Sequence, residues 1–89
     1  MSIFPHFRFY KKNNHPALIV GNAKIREHND SYLYRKTSHS SKITKRGSEK
    51  VYPNPNPLDK RPMYIEKRKR VDFKYLFGPK LNWKYNKKK

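Results

Sequence analysis

The stretch His15-Pro16-Ala17-Leu18-Ile19-Val20-Gly21 gives the clearest indication of the fold of this chain. It is a continuous apolar run between a proline and a glycine, and it is too short for a helix. Continuous rather than alternating apolar residues are typical of a strand that is buried on both faces of a sheet. The run therefore predicts that residues 17–20 form the most buried strand of the domain.

The segments on either side of this run have the pattern of partner strands. Residues 3–10 place two phenylalanines at alternate positions, with Pro5 near the start where a missing amide is tolerated, and predict a short edge strand. Residues 32–37 are rich in Tyr and Thr, which favour strands. The polar connection at residues 22–31 contains turn-forming Asn and Asp. We therefore expect residues 32–37 and the buried strand to form an antiparallel hairpin.

The second half of the sequence is less regular. Residues 38–48 are rich in Ser, Lys and Arg and predict a mobile basic loop, followed by a brief strand at residues 49–52. Prolines at 53, 55 and 57 predict a polyproline-like arm across the surface. Residues 63–65 predict another strand. Apolar residues at 73, 76 and 77 fit one or two helical turns, which Gly78-Pro79 would end.

Length and composition limit these elements to one small core. The chain has 89 residues, of which 34% are hydrophobic and 15% aromatic, so large aromatic side chains supply much of what can be buried. We predict a mainly β (α+β) fold: a small, highly curved SH3-like or OB-like barrel or open sheet with one short helix near the C-terminus. The domain is expected to span residues 1–85, with residues 86–89 as a disordered basic tail.

The charge of the chain indicates a polyanionic partner. It carries 23 Lys and Arg against 6 Asp and Glu, a formal net charge of +17. Self-repulsion on this scale destabilises a compact state unless an anion screens it, and nucleic acid is the commonest intracellular polyanion. The competing interpretation is a disordered basic segment, which the high aromatic content argues against. There is no Cys and no apolar run long enough to cross a bilayer, so we expect a cytoplasmic protein without membrane contact, metal or cofactor.

Basic clusters with interleaved aromatics are the strongest functional signal. Lys and Arg neutralise phosphates, whereas tyrosines stack on exposed bases or, alternatively, belong to the core. Tyr34 and Tyr64 are the stacking candidates, and the bases at 60–61 and 67–70 are expected to share one continuous positive surface. The sequence does not distinguish DNA from RNA and gives no oligomeric state. The predicted nucleic-acid-binding residues are Arg35, Lys36, Lys42, Lys45, Arg46, Lys60, Arg61, Tyr64, Lys67, Arg68, Lys69 and Arg70.

One stretch, Thr37-Ser38-His39-Ser40, has residues suited to acid–base chemistry. A histidine among hydroxyls and bases can activate a ribose 2′-hydroxyl and so cleave RNA. No acidic residue lies near His39 in sequence to orient its imidazole, which favours an exposed histidine in a Ser/Thr turn instead. His15, just before the buried strand, is expected to pack or hydrogen-bond at the strand start. We therefore predict a binding protein without catalytic residues and keep ribonuclease activity around His39 as an alternative.

The chain also carries a series of short motifs in order: His15-Pro16-Ala17-Leu18-Ile19-Val20, Tyr32-x-Tyr34, Thr37-Ser38-His39-Ser40, Asn54-Pro55-Asn56-Pro57-x-Asp59-x-Arg61 and Leu81-x-Trp83-Lys84. Together they resemble a group of small basic proteins encoded on plasmids, phages and integrative elements of Gram-positive bacteria. The Asn-Pro repeat with its Asp-x-Arg sequel is the most specific part of this resemblance. It implies a mobile-element context rather than a particular activity.

A second, shorter resemblance concerns His15-Pro16-Ala17 alone. It is similar to the early strand of PemK/MazF-like toxins, which often reads Arg-Pro-Ala followed by Val or Ile. That family implies an SH3-like barrel and ribonuclease activity, but His15 stands where the family places an Arg at or near its RNA site. A mobile-element context also implies a third hypothesis, an anti-CRISPR-type inhibitor that binds an RNA-guided nuclease complex.

Overall fold

In a computed structural model the chain forms a six-stranded antiparallel sheet, described here for residues 4–39 and 47–85. The sheet stays open, so of the two predicted forms, barrel and open sheet, the open sheet is confirmed, as is the mainly β class. The strands lie in the order β1-β2-β3-β5-β4, and β6 also pairs with β3. Their bounds are β1 His6–Tyr10, β2 His15–Ile25, β3 His28–Ser38, β4 Ser48–Val51, β5 Met63–Glu66 and β6 Arg70–Phe73.

Residues 17–19 of β2 are buried on both faces, as the continuous apolar run predicted. Ala17 and Ile19 belong to a core cluster on one face with Tyr10, Tyr34 and Phe77. Leu18 belongs to a second cluster, which also contains Phe7, Met63 and Ile65. Because neighbouring residues of a strand point to opposite faces, the run supplies both clusters at once. The two clusters explain why the run has no polar member.

The expected hairpin of β2 and β3 is present, with its turn at an unexpected position. The strands pair from Ala17↔Lys36 to Ile25↔His28, so the turn lies at Arg26 and Glu27 rather than at the Asn and Asp of residues 29–30. Arg26 adopts the left-handed conformation (φ 56°) that this tight reversal requires. Polar residues therefore extend both strands instead of forming a loop, because pairing satisfies their backbone groups.

The predicted helix near the C-terminus is largely replaced by a strand. Residues 70–73 form β6 against β3, from Ser31↔Phe73 to Tyr34↔Arg70, and only Lys74–Leu76 form a single 3-10 turn. The apolar spacing at 73, 76 and 77 fits a helix, but pairing with the edge of β3 prevails over it. Among the described residues no helix is long and apolar enough to cross a bilayer.

Residues 77–85, which we name the C-terminal segment, cover the outer edge of β1. Isolated bridges join Phe7 to Leu81 and Tyr10 to Phe77, and the backbone N–H of Leu81 donates to the Phe7 carbonyl at 2.8 Å. Trp83 then packs against Phe7, with ring centroids 5.6 Å apart. Covering the edge in this way satisfies backbone groups that would otherwise be exposed to pairing with another chain. The predicted tail at residues 86–89 lies outside the described residues, as does most of the predicted 38–48 loop.

Candidate nucleic-acid groove and adjoining histidine–aspartate pair

Residues 52–61, which we name the Asn-Pro loop, fold back on themselves. The prediction of an extended polyproline-like arm is wrong, because the side chains of Asn54, Asn56 and Asp59 each accept a hydrogen bond from the backbone two residues on and turn the chain. The backbone N–H of Asn56 donates to Asn54 Oδ1 at 2.9 Å, and that of Leu58 donates to Asn56 Oδ1 at 3.0 Å. Asn54 is buried and its Nδ2 donates to the Arg61 carbonyl at 2.9 Å. These successive Asx turns hold the loop in a fixed shape.

A groove of about 810 Å³ runs between the Asn-Pro loop and the C-terminal segment. We name it the Asn-Pro groove. Two aromatic residues border it, namely Tyr52, which is 61% exposed, and the partly buried Trp83. Two exposed lysines, Lys60 and Lys84, stand among its lining residues. The lining consists of Val51, Tyr52, Pro53, Asn54, Pro55, Asn56, Pro57, Asp59, Lys60, Asn82, Trp83 and Lys84.

The chemistry of this groove suits a nucleotide strand. Aromatic rings stack on bases of any sequence, and lysines bind the phosphates that connect them. Side-chain amides, here on Asn56 and Asn82, offer both donors and acceptors to base edges. Trp83 is held in place by β1, because its ring packs against Phe7 and Phe9. The Phe9 and Trp83 ring centroids are 5.8 Å apart. A pre-positioned ring loses little conformational entropy when a base stacks on it.

A second cavity, of about 240 Å³, adjoins the groove and contains a histidine–aspartate pair. Asn54, Asn56 and Asp59 line both spaces. His39 Nε2 lies 2.6 Å from Asp59 Oδ2. The carboxylate that is missing near His39 in sequence is thus supplied from 20 residues away, so His39 does not stand alone in a Ser/Thr turn. His15 also lines this cavity, and its backbone N–H donates to Asn13 Oδ1 at 3.0 Å, as expected for the strand start.

Asp59 is held in its ionised form. Arg61 donates to it from Nε at 3.2 Å, from Nη2 at 3.3 Å and from the backbone N–H at 3.0 Å. These bonds, with a smaller contribution from His39, hold the pKa of Asp59 well below its usual range. An ionised carboxylate only accepts hydrogen bonds, so the proton in the His39–Asp59 contact belongs to Nε2. The neutral imidazole therefore has its lone pair on Nδ1.

Like Arg61, which is bonded to Asp59, two further predicted nucleic-acid-binding arginines already have carboxylate partners. Arg70 binds Glu66 through two hydrogen bonds, at 2.8 and 2.9 Å. Arg35 donates to Glu49 at 3.2 Å and to the Glu66 carbonyl at 2.7 Å. Burial alone would raise the pKa of Glu66, but its bonds to Arg70 lower the pKa overall. These arginines thus contribute less positive potential than their formal charge indicates, and their role in binding stays a prediction.

The remaining predicted bases fall into two exposed groups. Lys60 and Arg61 precede β5, whereas Lys67, Arg68 and Lys69 follow it and are exposed. The four residues of β5, about 13 Å of extended chain, lie between the groups, so a surface that includes both must run along β5. That shared surface stays a prediction, as does the half-buried Lys36 in β3. Lys42, Lys45 and Arg46 lie outside the described residues.

The stacking candidates differ in accessibility. Tyr34 is 4% exposed and packs on Tyr10 and Phe77, so the prediction that it stacks on a base is wrong. Tyr64 in β5 is half-buried and stays a candidate. Tyr52 and Trp83, which line the groove, were not among the predicted contacts. Tyr52 could have been predicted as a contact from the sequence, because it is an aromatic residue beside the Asn-Pro repeat. No local pattern in the sequence connects Trp83 with the Asn-Pro loop.

No protein-family model, characterised protein or solved structure matches this chain. The resemblances described from sequence therefore stay predictions.

Proposed function

We propose that this protein binds single-stranded nucleic acid in the Asn-Pro groove. The observation that carries the proposal is the placement of Tyr52 and Trp83 beside Lys60 and Lys84 in one groove. Stacking on two aromatic rings and neutralising phosphates are the two interactions that proteins use to hold a single strand. A duplex hides its base faces, so the same groove favours an unpaired strand.

The overall charge supports the same partner. With a formal net charge of +17, the chain attracts phosphates over its whole surface, and the groove supplies the place where bases are held. Lys67, Arg68 and Lys69 are exposed and form no salt bridge with a described residue, so they are available to phosphates outside the groove. We expect weak sequence preference, because stacking accepts every base.

Trp83 is the sole tryptophan, and its fluorescence therefore reports directly on the groove. Titration with single-stranded RNA, single-stranded DNA and duplex DNA should quench it with the two single strands and less with the duplex. In salt titrations, log K should fall with log salt by about 0.7 for each phosphate bound. Binding that does not depend on salt, or an unchanged Trp83 signal at saturation, would remove the proposal.

Matched variants separate the groove from general charge. Tyr52→Ala should weaken binding, because a stacked base contributes about 1–3 kcal/mol. Tyr75→Ala is its control, since Tyr75 is 68% exposed and lies outside the groove. Lys84→Ala should lower the salt slope by about 0.7, whereas Lys80→Ala, exposed but outside the groove, should change it less. If the two variants of each pair changed binding equally, the nucleic acid would bind outside the Asn-Pro groove.

The inhibitor hypothesis stays a prediction with a different readout. A stoichiometric complex with an RNA-guided nuclease and loss of its DNA cleavage would support it, particularly if Tyr52→Ala left the inhibition unchanged.

A further inference from the structure

We infer that the cavity beside the groove is a ribonuclease site, in which His39 removes the proton of a ribose 2′-hydroxyl and His15 protonates the leaving 5′-oxygen. The inference rests on the proposed function, because the groove is what would bring an RNA strand to the cavity. Three features carry it: the His39–Asp59 contact of 2.6 Å, a second histidine in the same cavity, and lining residues shared with the groove.

His39 has the properties of a general base. Its Nε2–H is bonded to the ionised Asp59, which leaves Nδ1 as the acceptor for a substrate proton. The side chain is 37% exposed and lines the cavity, so substrate can reach it. Asp59 acts as a positioning residue: it fixes the tautomer and stabilises the imidazolium that forms, without itself taking the proton.

His15 is the second proton-transfer group that the reaction requires. Thr37 Oγ1 donates to the Pro16 carbonyl at 2.6 Å and so ties the end of β3 to the start of β2. Pro16 directly follows His15 and Thr37 lies two residues before His39, so this bond ties together the two chain segments that carry the histidines. His15 is exposed and pairs with Tyr10 of β1, so its position at the cavity is set by strand pairing rather than by loop conformation.

The reaction balances with these groups alone. The 2′-oxygen forms a bond to phosphorus and its proton passes to His39 Nδ1, while the bond between phosphorus and the 5′-oxygen breaks. The imidazolium of His15 gives a proton to that 5′-oxygen. The products are a 2′,3′-cyclic phosphate and a 5′-hydroxyl, and no oxidant, reductant or further co-reactant is consumed. Positioned acid–base groups of this kind contribute about 10²–10⁴-fold in rate.

The test uses a 5′-labelled single-stranded RNA that contains every dinucleotide step, with a chelator present. The wild-type protein should cut it and leave cyclic phosphate ends, and should bind but not cut the same sequence made of DNA. His39→Gln and His15→Gln should each lower the rate at least about 100-fold. Glutamine keeps a donor for Asp59, so His39→Gln should fold, which circular dichroism checks. All variants are purified identically, so cleavage that persists in both would reveal a contaminating nuclease and overturn the inference.

Asp59→Asn tests the positioning role. It should lower kcat while KM changes little, and Asp59→Glu should recover part of the rate. A loss of kcat that is accompanied by a loss of stability, and that Asp59→Glu does not recover, would contradict the positioning role. Trp83 quenching separates the inference from the proposed function. RNA that quenches Trp83 but stays intact would overturn the ribonuclease site and leave the binding function in place. Histidine-dependent cleavage without quenching would support the site and refute the groove.

Discussion

The Arg70 guanidinium donates two hydrogen bonds to the Glu66 carboxylate, at 2.8 and 2.9 Å, across the short connection between β5 and β6. Glu66 is fully buried, whereas 35% of the Arg70 side chain is exposed. The pair thus fixes the point at which the chain leaves β5 and begins to pair with a new part of β3. Arg70 is the last of four consecutive basic residues in the sequence, and in the fold it has a structural role.

Arg70→Ala should destabilise the fold by roughly 2–3 kcal/mol, which is below the roughly 3–5 kcal/mol for removing one partner of a fully buried ion pair, because water partly solvates this arginine. The variant leaves the buried Glu66 carboxylate without its guanidinium. Urea unfolding measures the change. Lys69→Ala is the control, since Lys69 is adjacent and exposed, and it should leave the midpoint nearly unchanged. Similar losses in both variants would mean that general charge, and not the pair, is responsible.

Asn54→Ala should destabilise the protein by about 1–3 kcal/mol, since it removes two hydrogen bonds of a buried side chain. Its effect should reach the groove, because the Asn-Pro loop would lose its fixed shape. We therefore expect weaker quenching of Trp83 by single-stranded RNA as well as a lower thermal midpoint. Asn82→Ala, exposed at the opposite wall of the groove, should affect binding without the loss of stability.

Tyr85 should titrate later than an ordinary tyrosine. Burial and its hydrogen bond to Glu49, at 3.0 Å, raise the pKa of Tyr85 from 10.0 to about 12. Because the folded pKa lies above the unfolded one, Tyr85 stabilises the fold below pH 10, and this contribution is lost as the pH rises from 10 to about 12. Absorbance at alkaline pH follows the ionisation, and Tyr85→Phe should remove one late-titrating group.

The stability difference between the wild type and Tyr85→Phe supplies the control for this titration. Lysines lose their charge in the same pH range in both proteins, so their effect cancels in the comparison. The difference should shrink between pH 10 and about 12. A difference that stays constant would show that the Tyr85–Glu49 bond does not contribute.

Ser31→Ala should leave stability unchanged or raise it by up to about 1 kcal/mol. Within residues 4–39 and 47–85, Ser31 Oγ is the buried side-chain oxygen that has no hydrogen-bond partner, and the residue is 0% exposed. Removing an unsatisfied buried hydroxyl removes its desolvation cost. Thr37→Val is the contrasting variant, because Thr37 Oγ1 is bonded to the Pro16 carbonyl, and it should destabilise. Ser31→Ala losing more than Thr37→Val would contradict this account.

The sequence predicts those parts of the fold that arise from interactions between residues close together in the chain. The pattern of residues 17–20 predicted the doubly buried strand, and the tyrosines and Thr of residues 32–37 predicted its hairpin partner. The interpretation of residues 71–77 as helix was largely wrong, because apolar spacing says nothing about the vacant edge of β3 that attracts β6. The prolines predicted an extended arm, which is wrong because the Asn side chains between them turn the chain.

The β class, the central strand and the positive charge follow from the sequence alone, since burial pattern, strand propensity and net charge are properties of short segments or of composition. The positions of the candidate sites depend on the tertiary structure. Asp59 contacts His39, 20 residues away in sequence, because the Asn-Pro loop folds back, and Trp83 lines the same groove as Tyr52 because the C-terminal segment follows the edge of β1. Contacts between residues distant in sequence depend on the whole path of the chain between them, and no local pattern encodes that path.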